Sequence, residues 1–228
     1  MQLTVGVDAG DVASKAAEAL AESVREAVDA RGRAAIALSG GETPWLMIRD
    51  LRERDLPWDR LHVAQVDERV VHDEDPRRNL SRLRALLVEN GPLSADRLIA
   101  MPVMAPDLDR AAADYQSELE RVAGRPIVLD VVQLGLGTDG HTASLVPGDR
   151  VLDVQDRDVA LTRDYQGSRR MTLTFPALTR ARSRLWLVTG SAKAARLADL
   201  LQGGGTAPAL RLPRQGALVF ADRAAKPA

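Results

Sequence analysis

Three histidines occur in the 228 residues, and His141 falls in the glycine-rich stretch GLGTDGHTASLVPG (135–148), two residues after Asp139. Imidazole has an ordinary pKa of about 6.5, so near neutrality it can take a proton from water and return it to a leaving group. The flanking glycines permit a loop tight enough for the Asp139 carboxylate to orient the ring. A cap for a helix beginning at TASLV would explain the same histidine without chemistry. Catalytic groups concentrate on loops of this kind, which favours the general acid–base reading. His62, near the start of an apolar run, reads as packing or surface, and His72, in an acidic loop, is the weaker functional candidate.

Other stretches read as anion sites. In SGGETP (39–44), Gly40 and Gly41 let the backbone approach a ligand, Thr43 is placed to cap a following helix, and Pro44 suits its first position. Ser39 to Thr43 would then cradle a phosphate at a helix N-terminus. An ordinary strand-to-helix turn accounts for the hexapeptide equally well, and the Gly-Lys-Ser/Thr ending of a P-loop is missing. Glu42 must turn outward from any such cradle. Lys193 falls in the first turn of an expected helix, where the helix dipole disfavours a cation by about 0.3–1 kcal/mol unless an anion binds there. Asp67, Glu68, Arg69, Arg77 and Arg78 crowd one segment; such a segment is commonly just solvated, but its place after an apolar run points Arg69 and a carboxylate toward a ligand. The histidines lack metal-ligand spacing and no carboxylate cluster matches a calcium loop, so no metal is expected.

These segments need a scaffold that brings them together. Apolar, β-rich runs recur at 3–7, 34–38, 61–66, 127–136, 184–190 and 216–220. Between them, 11–30 places Val12, Ala16, Ala19, Leu20, Val24 and Val28 on one stripe, and 80–90, 108–122 and 191–201 show the same helical spacing. The alternation predicts an α/β fold with a mostly parallel, doubly wound sheet and helices on both faces. Residues 151–175 hold two strand-like runs with no helix between them, which predicts an antiparallel pair at a sheet edge or a small subdomain. Residues 202–213 read as a flexible loop, and 224–228 as a frayed tail. No repeat or long linker divides the chain, so residues 1–228 are expected to form one domain. Ligands of such sheets bind beyond the carboxyl ends of the strands, and all four polar segments follow a strand.

Composition narrows the partners. A formal net charge of −1 gives no global field for polyanions, and 3% aromatic residues leave little for base stacking, so nucleic acid is not expected. The absence of cysteine removes disulfides and thiolate chemistry and fits a reducing compartment. No apolar run approaches the ~20 residues of a membrane span and no secretory pattern opens the sequence, so a soluble, cytoplasmic protein is expected.

LSGGETP, VDERVVHDEDPRRNL, LGLGTDGHTASLVPG, RMTLTFPAL and TGSAKAARL, in this order, resemble the 6-phosphogluconolactonases, within the larger group that includes glucosamine-6-phosphate deaminases. The resemblance spans nearly the whole chain. It implies a modified Rossmann-like domain that hydrolyses 6-phosphogluconolactone without metal or cofactor in the oxidative pentose phosphate pathway, with no obligate protein partner. It further implies His141 as base and acid, Asp139 as its orienting group, Arg69 at the oxyanion, Asp67 beside them, and the phosphate on Ser39, Gly40, Gly41, Thr43, Arg170 and Lys193. Arg170 matches the arginine that opens the family's R-x-T-L-T strand. TASLVP after DGH resembles lactonases, where deaminases usually carry Phe-Asn-Glu, and Arg69 stands where deaminases typically have an aromatic residue. Departures from the common lactonase pattern are Glu42 and Arg78, each usually serine, and Val146, usually phenylalanine. A deaminase using Asp67 as base, and a non-catalytic sugar-phosphate sensor, are the alternative readings. Ser144 lacks a Gly-x-Ser-x-Gly setting and is not expected to be a nucleophile.

Overall fold

The computed structural model describes residues 1–227. Strands β1 (Gln2–Gly6), β2 (Ala34–Leu38), β3 (Leu61–Gln65), β5 (Leu98–Ile99), β6 (Val131–Gly135), β9 (Ser183–Val188) and β10 (Ala217–Asp222) form a seven-stranded sheet in the order β1-β10-β9-β6-β2-β3-β5. Every pairing in it is parallel. A second sheet of three antiparallel strands joins β4 (Asp67–Arg69), β8 (Arg170–Leu173) and β7 (Val159–Leu161) in that order. The expected antiparallel pair is therefore present, and it gains β4 as a third strand.

The strands alternate their side chains between two cores, as the period of two requires. In β2, Ala34, Ile36 and Leu38 face one core, and Ala35 and Ala37 the other. The first core holds α1 (Ala9–Arg31) and α2 (Glu42–Arg52), with Leu83 and Leu87 from α3 (Asn79–Leu83) and its π-helical continuation over Arg84–Glu89. The second holds α4 (Leu108–Ala123), α5 (Phe175–Arg180), α6 (Ala194–Gln202) and the small sheet. In α1 the fully buried stripe combines Val12, Ala16, Leu20 and Val24 with Ala13, Ala17 and Ala21, while Ala19 and Val28 sit at its edge. Burying a Leu or Val side chain contributes about 1.5–3 kcal/mol. Asp8 caps α1 by accepting from Asp11 N at 2.9 Å, and Gly32, at φ 72°, ends it in the left-handed region.

From β2 the chain moves outward through β3 to β5, then returns to the other side of β2 as β6 and continues through β9 to β10. The loops after β2 and β6 therefore diverge, which opens a crevice at the carboxyl ends of those strands. Val66 links the two sheets: its N–H donates to Leu38 O at 3.0 Å, and its carbonyl accepts from Leu173 N at 2.9 Å. The chain thus crosses at Val66 from β3 of the main sheet to β4 of the small one.

Two expectations about loops need correction. Within 202–213, Pro208–Arg211 forms a 3-10 turn with Ala209 and Leu212 buried. The expected tail turns back: Asp222 accepts from Ala225 N at 2.8 Å, and Ala225 is buried. Ala228, the last residue of that tail, lies outside the described residues. Among the described residues no helix is long and apolar enough to cross a membrane.

Candidate active site

Beyond β6 the chain turns at once: Gly140 N donates to Gly137 O at 3.0 Å, and Gly137 N to His141 O at 2.8 Å. Gly137 has to be glycine, because a Cβ there would lie 2.2 Å from His141 Nδ1 and 2.4 Å from Asp139 Oδ1. Gly140 has φ 84°, and a Cβ on it would strike Ala207 at 2.6 Å. Outside supports fix the loop: Ala209 N donates to Gly140 O at 3.0 Å and Arg196 Nε to Thr138 O at 3.1 Å.

The result is an oriented imidazole. His141 Nδ1 lies 2.6 Å from Asp139 Oδ1, which also accepts from His141 N at 3.1 Å. Partial burial works against the charged Asp139 carboxylate, but the hydrogen bonds from the His141 backbone and ring outweigh it and hold its pKa below the usual value. With Nδ1 engaged, Nε2 is the ring nitrogen free to meet a ligand.

His141 lines a cavity of about 150 Å³ with Ser39, Gly40, Asp67, Arg69, Asn79, Arg170 and Lys193 among its walls. Segments from β2, β4, α3, β6, β8 and the turn after β9 thus converge. The volume is below the ~300–1,000 Å³ of pockets that enclose small ligands, so part of a sugar phosphate would remain at the mouth. A larger groove of about 710 Å³ runs along α4 and β7. Two of its arginines are paired within it, Arg157 with Asp156 at 3.0 Å and Arg125 with Glu120 at 3.6 Å, and it holds no histidine.

The smaller cavity has a positive balance. Arg69, Arg170 and Lys193 face one lining carboxylate, Asp67, and among the described residues none of the three cations forms an ion pair. The Nε atoms of Arg69 and Arg170 are buried without a hydrogen-bond partner. Burial pushes the Lys193 pKa down, against a smaller upward pull from Asp139. Desolvated, unpaired cations of this kind call for an anion.

Asp67 is buried and accepts from Ser144 Oγ at 2.5 Å. Ser144 is itself buried and does not line the cavity. Glu68 points inward, accepting from Arg69 N, Asn79 N, Gln65 Nε2 and Leu80 N at 2.8–3.0 Å, and so anchors the start of α3. Arg78 lies 3.5 Å from Glu68 and 3.0 Å from Asp73, outside the cavity walls. Glu42 is exposed, as an anion cradle demands.

The expected cradle differs in detail. Ser39 lines the cavity, but its N–H donates to Gln133 Oε1 and its hydroxyl to the Gln133 carbonyl, both at 3.0 Å. Helix α2 begins at Glu42 with Gly41 at its N-cap and no side-chain cap; Thr43 Oγ1 instead meets Thr189 Oγ1 at 2.7 Å, and Pro44 is the third helical residue. Neither Gly41 nor Thr43 lines the cavity, and Asp139 stands behind His141. Gly40 is essential to the shape, since a Cβ there would lie 2.0 Å from Asn79 Oδ1.

Asn79 and Tyr165 were not legible as site residues. Asn79 lines the cavity and donates from Nδ2 to Asp67 O at 3.1 Å; the signal was its place at the end of the charged segment. Tyr165, one of two tyrosines, reaches Asp139 Oδ2 at 3.3 Å from the β7–β8 turn, which no local pattern announces. His62, with Nδ1 buried and unpartnered, lies on β3 away from the cavity, and His72 is exposed. Among the described residues no group of acidic or histidine side chains is arranged to hold a metal.

Comparison with known proteins supplies the lineage. The family model described as glucosamine-6-phosphate isomerases/6-phosphogluconolactonase matches residues 7–220. The chain is 37% identical over 204 residues to the 6-phosphogluconolactonase of Rhizobium meliloti, covering 85% of this chain and 86% of that protein. It is 36% identical over 181 residues to the one from Synechocystis sp., covering 78% and 75%. The crystal structure of the Thermotoga maritima 6-phosphogluconolactonase superimposes with a TM-score of 0.85 at 24% identity, covering 97% of this chain and 98% of that one, a likeness that speaks to the fold. Matched across nearly its whole length and more than a third identical to these two relatives, the chain belongs to the glucosamine-6-phosphate isomerase/6-phosphogluconolactonase family.

Proposed function

We propose that this protein is a cytoplasmic, single-domain 6-phosphogluconolactonase, which hydrolyses 6-phospho-D-glucono-1,5-lactone to 6-phosphogluconate for the oxidative pentose phosphate pathway. The observation that carries the reading is a carboxylate-oriented imidazole and three unpaired cations sharing one cavity. The relatives named above are themselves 6-phosphogluconolactonases.

In this reading Arg170 and Lys193 hold the 6-phosphate, with Gly40 in the wall beside them. Phosphate binding positions the lactone carbonyl carbon beside His141. Nε2 takes a proton from water as its oxygen attacks that carbon, and the carbonyl electrons move onto oxygen. Arg69 and nearby backbone N–H groups stabilise the oxyanion. Collapse breaks the bond to the ring oxygen, which receives the proton from His141, so the imidazole returns to its starting state. The ester is activated enough that no covalent nucleophile is required.

A deaminase would need a second catalytic acid, whereas Asp67 is the one carboxylate among the cavity walls. The test follows proton release from freshly prepared 6-phosphogluconolactone with the parent and His141→Ala. Rapid release by the parent and loss in the variant support the reading. Full activity in the variant removes His141 from the mechanism, ammonia release from glucosamine 6-phosphate favours the deaminase, and an inactive parent that still binds 6-phosphogluconate favours a sensor.

A further inference from the structure

We propose that Tyr165, in the tight turn joining β7 to β8, is a positioning residue that ties the His141–Asp139 pair to the Arg170 guanidinium; the assignment rests on the lactonase reading. Tyr165 Oη donates to Asp139 Oδ2 at 3.3 Å, on the carboxylate oxygen that His141 does not use. The Tyr165 and His141 rings meet edge to face, with centroids 5.8 Å apart at 66°. On its other side, Tyr165 has the Arg170 guanidinium 5.0 Å from its ring centroid. A polar route closes the circuit: Arg170 Nη2 donates to Gln166 Oε1 at 3.4 Å, and Gln166 Nε2 to Tyr165 Oη at 3.3 Å.

The turn is built for this placement. Tyr165 N donates to Ser168 O at 3.0 Å, and Gln166 and Gly167 take φ of 54° and 81°. Consecutive left-handed residues form the hairpin turn that matches strand twist, and they usually call for Gly, Asn or Asp. A glutamine at the first of these positions is costly on backbone grounds, and here its amide bridges Tyr165 to Arg170. Arg170 is buried and, among the described residues, lacks a carboxylate partner, so the aromatic face and this amide are what aim it. Burial and the nearby Asp139 charge raise the Tyr165 pKa, which keeps its hydroxyl a donor.

The two functions separate by substitution. Tyr165→Phe keeps the ring and loses the hydroxyl, so kcat falls about three- to tenfold with KM within about twofold of the parent. Tyr165→Leu loses both, so the same fall in kcat is joined by a rise in KM of about tenfold, with 6-phosphogluconate affinity weakened to match by calorimetry. Rescue of KM and affinity by Phe distinguishes positioning from general support of the fold. Equal KM and equal affinity in parent, Phe and Leu proteins overturn the proposal, as does a fall in melting temperature with kcat and KM unchanged. Should the parent fail to hydrolyse the lactone, the functional reading fails separately. The calorimetric arm then still decides: weaker binding in Leu but not Phe supports the Tyr165 assignment, and equal binding overturns it.

Discussion

Ser144 Oγ donates a 2.5 Å hydrogen bond to Asp67 Oδ2 across 77 residues of sequence, joining the loop after β6 to the strand that leaves the main sheet. Both residues are buried, so the hydroxyl is committed to holding a carboxylate. Ser144→Ala leaves that carboxylate oxygen without its partner, at a cost of about 1–3 kcal/mol, visible as a lower urea midpoint. Below the new transition kcat stays within about tenfold of the parent, since in the proposed mechanism the serine forms no covalent intermediate. A loss of about a thousandfold would make it a nucleophile after all.

In the proposed mechanism His141 is the proton carrier and Asp139 its orienting group, and kinetics tests that division. His141→Asn removes the proton carrier and lowers kcat by about 100- to 10,000-fold with KM little changed. Asp139→Asn keeps the shape but loses the charged acceptor for Nδ1, so kcat falls at least about tenfold, by less than in His141→Asn. Steady-state kinetics on fresh lactone checks the order; a more damaging Asp139→Asn would shift the acid–base role to the carboxylate.

Gly137→Ala tests whether the tight loop exists for the site. An added Cβ meets the His141 ring at 2.2 Å and the Asp139 carboxylate at 2.4 Å, and both side chains must move. Lactone turnover drops at least about a hundredfold, while 6-phosphogluconate still binds, because Arg170 and Lys193 approach from other elements. Kinetics with parallel calorimetry reads the split, and unchanged turnover would mean that the ring position is not critical.

Much of this architecture was legible because apolar runs report burial directly. AAIAL maps onto β2 without a shift, since a central strand with both faces covered must be apolar throughout. β4 was hidden: Asp-Glu-Arg reads as solvated charge, and its strand conformation comes from pairing Asp67 with Thr172 and Arg69 with Arg170, about a hundred residues downstream. His141, Arg69, Arg170 and Lys193 could be assembled on paper because each follows or opens a strand. Thr43 could not be placed, because its hydroxyl had a distant partner in Thr189 that competes with the local cap. Asn79 reaches the cavity through space that Gly40 leaves open, a relation between two loops that neither reveals alone.

Lys193 predicts the pH dependence of anion binding. Burial lowers its pKa, so the unfolded chain holds this proton more tightly than the folded one. The free protein therefore gains stability as pH rises from the folded value toward the ordinary ~10.4. A bound phosphate favours the charged lysine and reverses the preference. Affinity for 6-phosphogluconate accordingly falls as pH rises through the lowered value, beginning below the ordinary lysine range. Lys193→Arg retains affinity to higher pH, and Lys193→Met binds weakly with little dependence on alkaline pH. Calorimetric titration across that range checks this; three superimposable profiles would remove Lys193 from the phosphate site.

Arg184 marks the opposite end of the same sheet and gives the control. Buried at the start of β9, it donates to the carbonyls of Pro213 at 3.1 Å, Leu178 at 3.4 Å, Thr179 at 3.2 Å and Ala181 at 2.8 Å, and to that of Gln215, with no carboxylate of the described residues in salt-bridge contact. One guanidinium thus closes the end of α5 onto the turn before β10. Arg184→Met fills similar space but leaves several carbonyls without donors, so unfolding free energy drops by about 3 kcal/mol or more. The site lies beyond the carboxyl ends of the strands, so kcat per folded molecule stays unchanged while the urea midpoint falls. A lowered kcat in fully folded Arg184→Met would show that the two ends of the sheet are coupled, and an unmoved midpoint would deny the clamp.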